Sequence, residues 1–229
     1  MVIGVSSSED YTIAATDQIE QTIRAIATSK EKVFIALSGG STPLPILEEL
    51  KKRSLDWSRL FFFMVDERIV PLNHPNSNFG AISNVFFNHI SSKAFSMVQE
   101  EMSTSQAIET YEAIMRDLMD LNDKGFPVFD LILLGMGDDG HTASLFPETK
   151  ALIDDKNWIV ENEVPQLNTS RITLTYPILL SAKEIMVLIK GDAKKQIYQE
   201  LVSESNTTYP MQKVVNDKKG LKWILEDSI

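Results

Sequence analysis

Four short, almost unbroken apolar runs, each ending against a polar or glycine-bearing segment, constrain this 229-residue chain more than any other feature. They lie at residues 33–37, 60–65, 129–134 and 185–189, and none of them alternates as a half-exposed strand would. A strand that is apolar on both faces must be covered on both faces, the arrangement of a parallel sheet between two layers of helices. Helical candidates fall between the runs, at 10–29, 44–52, 77–88, 104–122 and 193–204. Within 104–122, Ala107, Ile108, Tyr111, Ile114, Met115, Leu118 and Met119 recur at helical spacing. The alternation predicts an α/β fold: a doubly wound, mostly parallel sheet with helices on both faces, Rossmann-like, in a single domain over residues 1–229. Additional strands are expected at 171–175 and 221–225. No internal repeat, low-complexity tract or Pro/Gly/Ser-rich linker divides the chain.

Charge and composition exclude several kinds of protein. With 22 Lys and Arg against 32 Asp and Glu, the formal net charge is −10. Phosphate backbones need a basic stripe and anionic membranes repel such a chain, so neither nucleic acid nor a membrane surface is an expected partner. The absence of cysteine rules out disulfides, thiolate catalysis and Cys-ligated zinc. Residues 1–9 lack a basic region and a long apolar stretch, and no apolar run approaches the roughly 18 residues that span a bilayer. The expected location is cytoplasmic, and the expected assembly a monomer or weak homodimer.

In doubly wound sheets ligands bind beyond the carboxyl ends of the strands, so chemistry should be sought just after each apolar run. After the first stands Ser38-Gly-Gly-Ser-Thr-Pro43. Two glycines permit a tight turn, Ser41 or Thr42 can cap the helix that follows, and Pro43 suits its first turn. A helix N-terminus with free N–H groups and hydroxyls also suits a phosphate, so Gly40, Ser41 and Thr42 are candidate phosphate ligands. A plain capped turn reads the same way. No Gly-Lys-Ser/Thr follows, so this is not a triphosphate-binding loop.

After the second run come Asp66, Glu67 and Arg68. They form either a solvated loop with a local ion pair or a substrate-binding set. In the second case Asp66 or Glu67 holds hydroxyls or a cation, and Arg68 meets an anion with its planar fork. Nearby Ser77 and Asn78 read best as helix caps.

The third segment, Gly135-Met-Gly-Asp-Asp-Gly-His-Thr-Ala-Ser-Leu-Phe-Pro147, is the most informative. It carries one of only three histidines. Asp139 and His141 are two apart, and an extended backbone would point both to the same side, letting the carboxylate orient an imidazole base. Gly135-x-Gly137-x-x-Gly140 also fits a dinucleotide fingerprint, with Glu161 downstream. Asp138 and Asp139 would face the pyrophosphate, however, Pro147 interrupts the expected helix, and the motif falls late in the chain. NAD binding is therefore not expected.

After the fourth run, Lys194 sits in the first turn of a helix, against the helix dipole, where it is either a surface lysine or aimed at a ligand phosphate. Arg171 opens an expected strand and is either an exposed charge or another anion contact. A chain at −10 needs local cations to hold an anion, and Arg68, Arg171 and Lys194 could supply them. His74 and His89 have no metal-ligand spacing with His141, so no metal is expected. Ser38 and Ser41 do not stand in a nucleophile elbow.

Taken in order, these segments together with Arg171-Ile-Thr-Leu-Thr175 and Gly191-x-x-Lys194 resemble the 6-phosphogluconolactonase family, within a larger group that includes glucosamine-6-phosphate deaminase. The likeness runs from about residue 33 to Lys194. It implies a carboxylic ester hydrolase that opens 6-phospho-D-glucono-1,5-lactone in the oxidative pentose phosphate pathway, with no cofactor. It also implies His141 as general base, Asp139 behind it, and the phosphate near Gly40, Ser41, Thr42 and Lys194 with Arg68 or Arg171. Deaminases of the group look like Asp-Gly-His-x-Ala-Phe-Asn-Glu-Pro, and here Phe146 stands at the glutamate position. The alternatives are a deaminase or isomerase of a hexosamine phosphate, and a non-catalytic sugar-phosphate sensor.

Overall fold

All four apolar runs form buried strands. The computed structural model describes residues 1–5, 7–203 and 208–226. In chain order the elements are β1 (Val2–Val5), α1 (Ser8–Ala27), β2 (Val33–Leu37), α2 (Pro43–Leu50), β3 (Leu60–Met64), β4 (Asp66–Arg68), α3 (Asn78–Val85) and β5 (Lys93–Ala94). They continue as α4 (Thr104–Leu118), β6 (Leu131–Leu134), β7 (Ile159–Val164), β8 (Thr169–Leu174), α5 (Tyr176–Ser181), β9 (Glu184–Ile189), α6 (Asp192–Val202), α7 (Pro210–Asp217) and β10 (Lys222–Glu226).

Seven strands make one parallel sheet in the order β1-β10-β9-β6-β2-β3-β5, with helices on both faces. Every residue of β2, β3 and β6 is buried, as double coverage requires. From β2 the chain winds outward through β3 to β5. From β6 it winds the other way, through β9 and β10. The direction of winding reverses between β2 and β6, and in such sheets the reversal opens a crevice at the strands' carboxyl ends. The amide of Ser38 donates to the Leu133 carbonyl (3.0 Å) across this gap, and the Gly135 amide donates to Ser38 Oγ (3.2 Å). The two glycine-bearing segments are thereby tied together at the switch point.

At the opposite end of the same strands, the wholly buried carboxylate of Asp130 accepts from Lys30 Nζ (2.8 Å), Lys183 Nζ (3.1 Å) and the Phe34 amide (3.0 Å). The core beside β3 is aromatic: Phe63 packs edge-on against Tyr111 and Phe129, and Phe62 against Phe86. The Tyr111 hydroxyl accepts from the Met64 amide (2.7 Å) and donates to the Met64 carbonyl (3.2 Å), pinning the end of β3 next to the site.

A second sheet was not expected. β4, β8 and β7 form a three-stranded antiparallel sheet. The chain leaves the main sheet at Val65, whose amide still bonds the Leu37 carbonyl while its carbonyl accepts from Leu174. Three successive charges cannot continue a strand buried on both faces, so they turn out into an antiparallel pair. The strand expected at 171–175 thus belongs to this small sheet, whereas 222–226 joins the main one. The helix expected over 104–122 stops at Leu118, where Met119 turns extended, and that expected over 77–88 breaks at Phe86. Residue 204, the expected end of a further helix, lies outside the described residues. No crossover helix follows the Gly135–Gly140 segment: a single short 3-10 turn (Lys150–Ile153) separates β6 from β7, which is in the other sheet. The dinucleotide fingerprint therefore lacks the helix whose N-terminus it needs.

Candidate active site

The turn after β2 runs through Gly40 at φ +98° into α2. Thr42 occupies the N-cap position with helical dihedrals, and its side chain makes no capping bond. The capping expected of Ser41 or Thr42 is thus not seen at Thr42. Pro43 and Pro45 carry no N–H, so the polar groups at this end are the turn amides, the Leu44 amide and the two hydroxyls. Gly39 passes close under Asn78: a Cβ there would lie 2.0 Å from Asn78 Oδ1.

The turn after β6 brings Asp139 and His141 together, by a route the sequence did not suggest. The backbone is not extended. Gly140, at φ +71°, closes a tight turn in which its amide bonds the Gly137 carbonyl (3.0 Å). Asp139 Oδ1 then accepts from both the His141 amide (3.1 Å) and His141 Nδ1 (2.5 Å). With Nδ1 taken by the carboxylate, Nε2 is the nitrogen left with a free lone pair. Burial pushes the Asp139 carboxyl up, but its bonds to the imidazole and backbone outweigh this and hold it below the usual aspartate value. It therefore remains an anion at neutral pH. The imidazole lies against the ring of Phe146, with centroids 4.0 Å apart.

These loops enclose a cavity of about 230 Å³ at the switch point, lined by Gly40, Ser41, Thr42, Asp66, Arg68, His141 and Lys194 among others. A neighbouring hollow of about 450 Å³ shares Asp66, Arg68 and His141 and adds Asp138, Asp139 and Arg171. Around these two hollows the fold thus gathers His141 and eight of the nine other expected site residues.

Glu67 is the exception and a correction. It is wholly buried and lines neither hollow. Its carboxylate accepts from the amides of Arg68, Asn78 and Phe79 (2.7 Å each) and from Ser77 Oγ (3.2 Å), capping α3 from below. Burial pushes its pKa up, and the three amides oppose the shift. Ser77 also caps α3 as expected, through the Gly80 amide. Glu67→Ala leaves four donors without their acceptor, two of them buried (the Asn78 amide and Ser77 Oγ) and two partly buried, and is expected to cost about 3 kcal/mol or more. Thermal melting should read this as a drop in Tm of roughly 6–12 °C; an unchanged Tm would show that the carboxylate is dispensable.

Sequence reading passed over the residues that hold Asp66. Ser144 Oγ donates to Asp66 Oδ2 (2.7 Å), and Asn78 Nδ2 donates to the Asp66 carbonyl (3.1 Å). Both lie in segments already singled out, but only the fold brings them to β4. Arg68 and Arg171 stand directly opposite each other on β4 and β8. Like charges so placed are unfavourable unless an anion joins them. Burial and the facing Arg68 pull the Arg171 pKa below its ordinary value, against Asp66 and Glu67, and its Nε is buried without a partner. The remaining histidines serve locally: His74 Nδ1 accepts from the Asn76 amide, and His89 Nε2 lies 2.9 Å from the Asn84 carbonyl. Among the described residues no group of three or more His, Asp or Glu is placed to hold a metal, and no helix is long and apolar enough to cross a membrane.

A parallel sheet with a glycine-bearing turn and an Asp–His pair at its switch point is the frame against which the chain compares with known proteins. The chain belongs to the family described as glucosamine-6-phosphate isomerases/6-phosphogluconolactonase, whose model matches residues 6–223. It is 34% identical to the 6-phosphogluconolactonase of Chlamydia trachomatis over 98% of this chain and 87% of that one. The crystal structure of 6-phosphogluconolactonase from Thermotoga maritima superposes with a TM-score of 0.82 at 30% identity, covering 99% of this chain and 100% of that one. The 6-phosphogluconolactonase of Trypanosoma brucei gives 0.87 at 27% identity, over 99% and 95%.

Proposed function

We propose that this protein hydrolyses 6-phospho-D-glucono-1,5-lactone to 6-phospho-D-gluconate, with His141 as the general base. The observation that carries this reading is the Asp139–His141 pair, whose imidazole lines a cavity together with the Gly40–Thr42 turn and Lys194. His141 Nε2 takes a proton from water as the water oxygen bonds the lactone carbonyl carbon, and Asp139 stabilises the imidazolium. The tetrahedral intermediate collapses by breaking the bond from that carbon to the ring oxygen, which receives the proton back. The acid formed then ionises and releases one proton to solvent. Arg68 lines both hollows with His141 and supplies positive charge where the oxyanion develops. The phosphate rests on Gly40, Ser41, Thr42 and Lys194, and Asp66, with Arg171 in the neighbouring hollow, meets the sugar end. Only protons move, so the reaction calls for no cofactor.

Phe146 supports the lactonase reading over a deaminase. Ring opening and proton shuttling on an amino sugar need a further acid–base group, and a phenyl ring occupies that place against the imidazole. Freshly made lactone and glucosamine 6-phosphate should be offered in parallel. Acid release above the spontaneous rate from the first, and no ammonia from the second, is expected; ammonia release would transfer the site to the alternative chemistry.

Lys194→Ala removes a cation that binds phosphate equally in ground and transition states. It is expected to raise KM about tenfold or more with kcat little changed. Steady-state kinetics that leave KM unaltered would return Lys194 to the role of a surface lysine.

A further inference from the structure

We propose that Phe146 is a positioning residue for His141, and that its ring face stabilises the imidazolium formed as the base takes its proton. This rests on the general-base reading above. The two rings stack with centroids 4.0 Å apart and planes 28° apart. Phe146 is only 6% exposed, follows the buried Ser144 and Leu145, and lines the neighbouring hollow together with His141. Asp139 holds the Nδ1 edge, and the Gly137 backbone lies so close that a methyl there would meet Nδ1 and Cε1 at 2.1 Å. The imidazole is thus bounded by a π face, a carboxylate and a glycine, with Nε2 left for the water.

A phenyl face packs against either form of the imidazole, but its quadrupole attracts only the cation. The contact therefore strengthens as the proton is transferred, which is what a group must do to lower the barrier. Other charges line the two hollows that this ring borders: Asp138 and Asp139 from its own loop, Asp66 and Arg68 from β4, Arg171 from β8 and Lys194 from α6. All of them persist in Phe146→Leu, which keeps an apolar side chain and removes the π face.

Two readouts test the proposal. One follows the His141 Cε1 proton by NMR titration, where only His74 and His89 give comparable signals. The other is kcat and KM on the lactone. In Phe146→Leu the titration midpoint is expected to fall by about half to one pH unit. Its kcat should fall about 3- to 10-fold with KM nearly unchanged, and Phe146→Tyr should restore both. If the leucine variant does not fold, Phe146→Met serves in its place. A midpoint equal to wild type in the folded variant, or a fall that Phe146→Tyr shares, overturns the proposal. The titration needs no turnover, so it judges the ring contact separately from the general-base reading, which is tested through the activity of His141→Ala.

Discussion

His141→Ala is expected to lose about 100- to 10,000-fold in lactone turnover while keeping its fold and its KM. The side chain is partly exposed on a loop held by other bonds: the Gly137 amide to the residue-141 carbonyl (2.9 Å), the Gly140 amide to the Gly137 carbonyl, and Thr142 Oγ1 to the Gly135 carbonyl (2.9 Å). None of these needs the imidazole, so the loss is chemical and not structural. The same base fixes the sign of the pH dependence. Protonation removes the Nε2 lone pair, so the rate falls on acidification. The Asp139 carboxyl, held below its usual value by the imidazole and backbone against the opposing effect of burial, stays charged through that range. One ionisation should therefore shape the acid limb. A rate flat between about pH 5 and 8, after subtraction of spontaneous hydrolysis, would contradict a histidine base.

The second large effect is expected of Gly137→Ala. A Cβ at this position would lie 2.1 Å from His141 Nδ1 and Cε1 and 2.8 Å from Asp139 Oδ1. One of the three groups must move. The ring and the carboxylate are the movable parts, because the Gly137 amide and carbonyl are both tied into the turn. Displacing a catalytic group by about 1 Å costs on the order of 100-fold in rate. Here the loss should appear in kcat, with Lys194 and the Gly40–Thr42 turn still able to bind the phosphate. A variant with wild-type kcat would mean that the ring does not occupy this position during turnover.

What the sequence reveals, and what it hides, follows from how local each cause is. Strands 33–37 and 60–64 are legible because burial on both faces leaves an apolar run that nothing else requires. That the site lies at the strands' carboxyl ends is legible because glycine-bearing segments follow the apolar runs; where the winding reverses is not, because strand order is a property of the whole sheet. The small antiparallel sheet is hidden: β7 reads Ile-Val-Glu-Asn-Glu-Val, and β4 is three charged residues. Neither has a pattern that propensity can separate from a loop. The fate of adjacent charges is hidden for the same reason. Asp66 and Arg68 reach the cavity while Glu67 between them is buried under α3, because successive residues of a strand point to opposite faces and the register is set by Arg171 and Ile172 on β8. The Asp139–His141 contact was anticipated, but through the wrong geometry. The left-handed turn at Gly140 makes it, and that turn packs against Tyr209, about 70 residues away, whose ring would meet any Cβ at 2.5 Å.

The proposed mechanism has an imidazole at the sheet's switch point drive opening of a phosphorylated sugar lactone. Its most direct test is the time course of proton release from freshly prepared 6-phosphogluconolactone in weak buffer, with wild type, His141→Ala and no protein run side by side. Wild type is expected to release one proton per lactone rapidly and saturably, with a His141→Ala trace close to the protein-free one. Superposition of the His141→Ala trace on that of wild type, or of wild type on the protein-free trace, would contradict it.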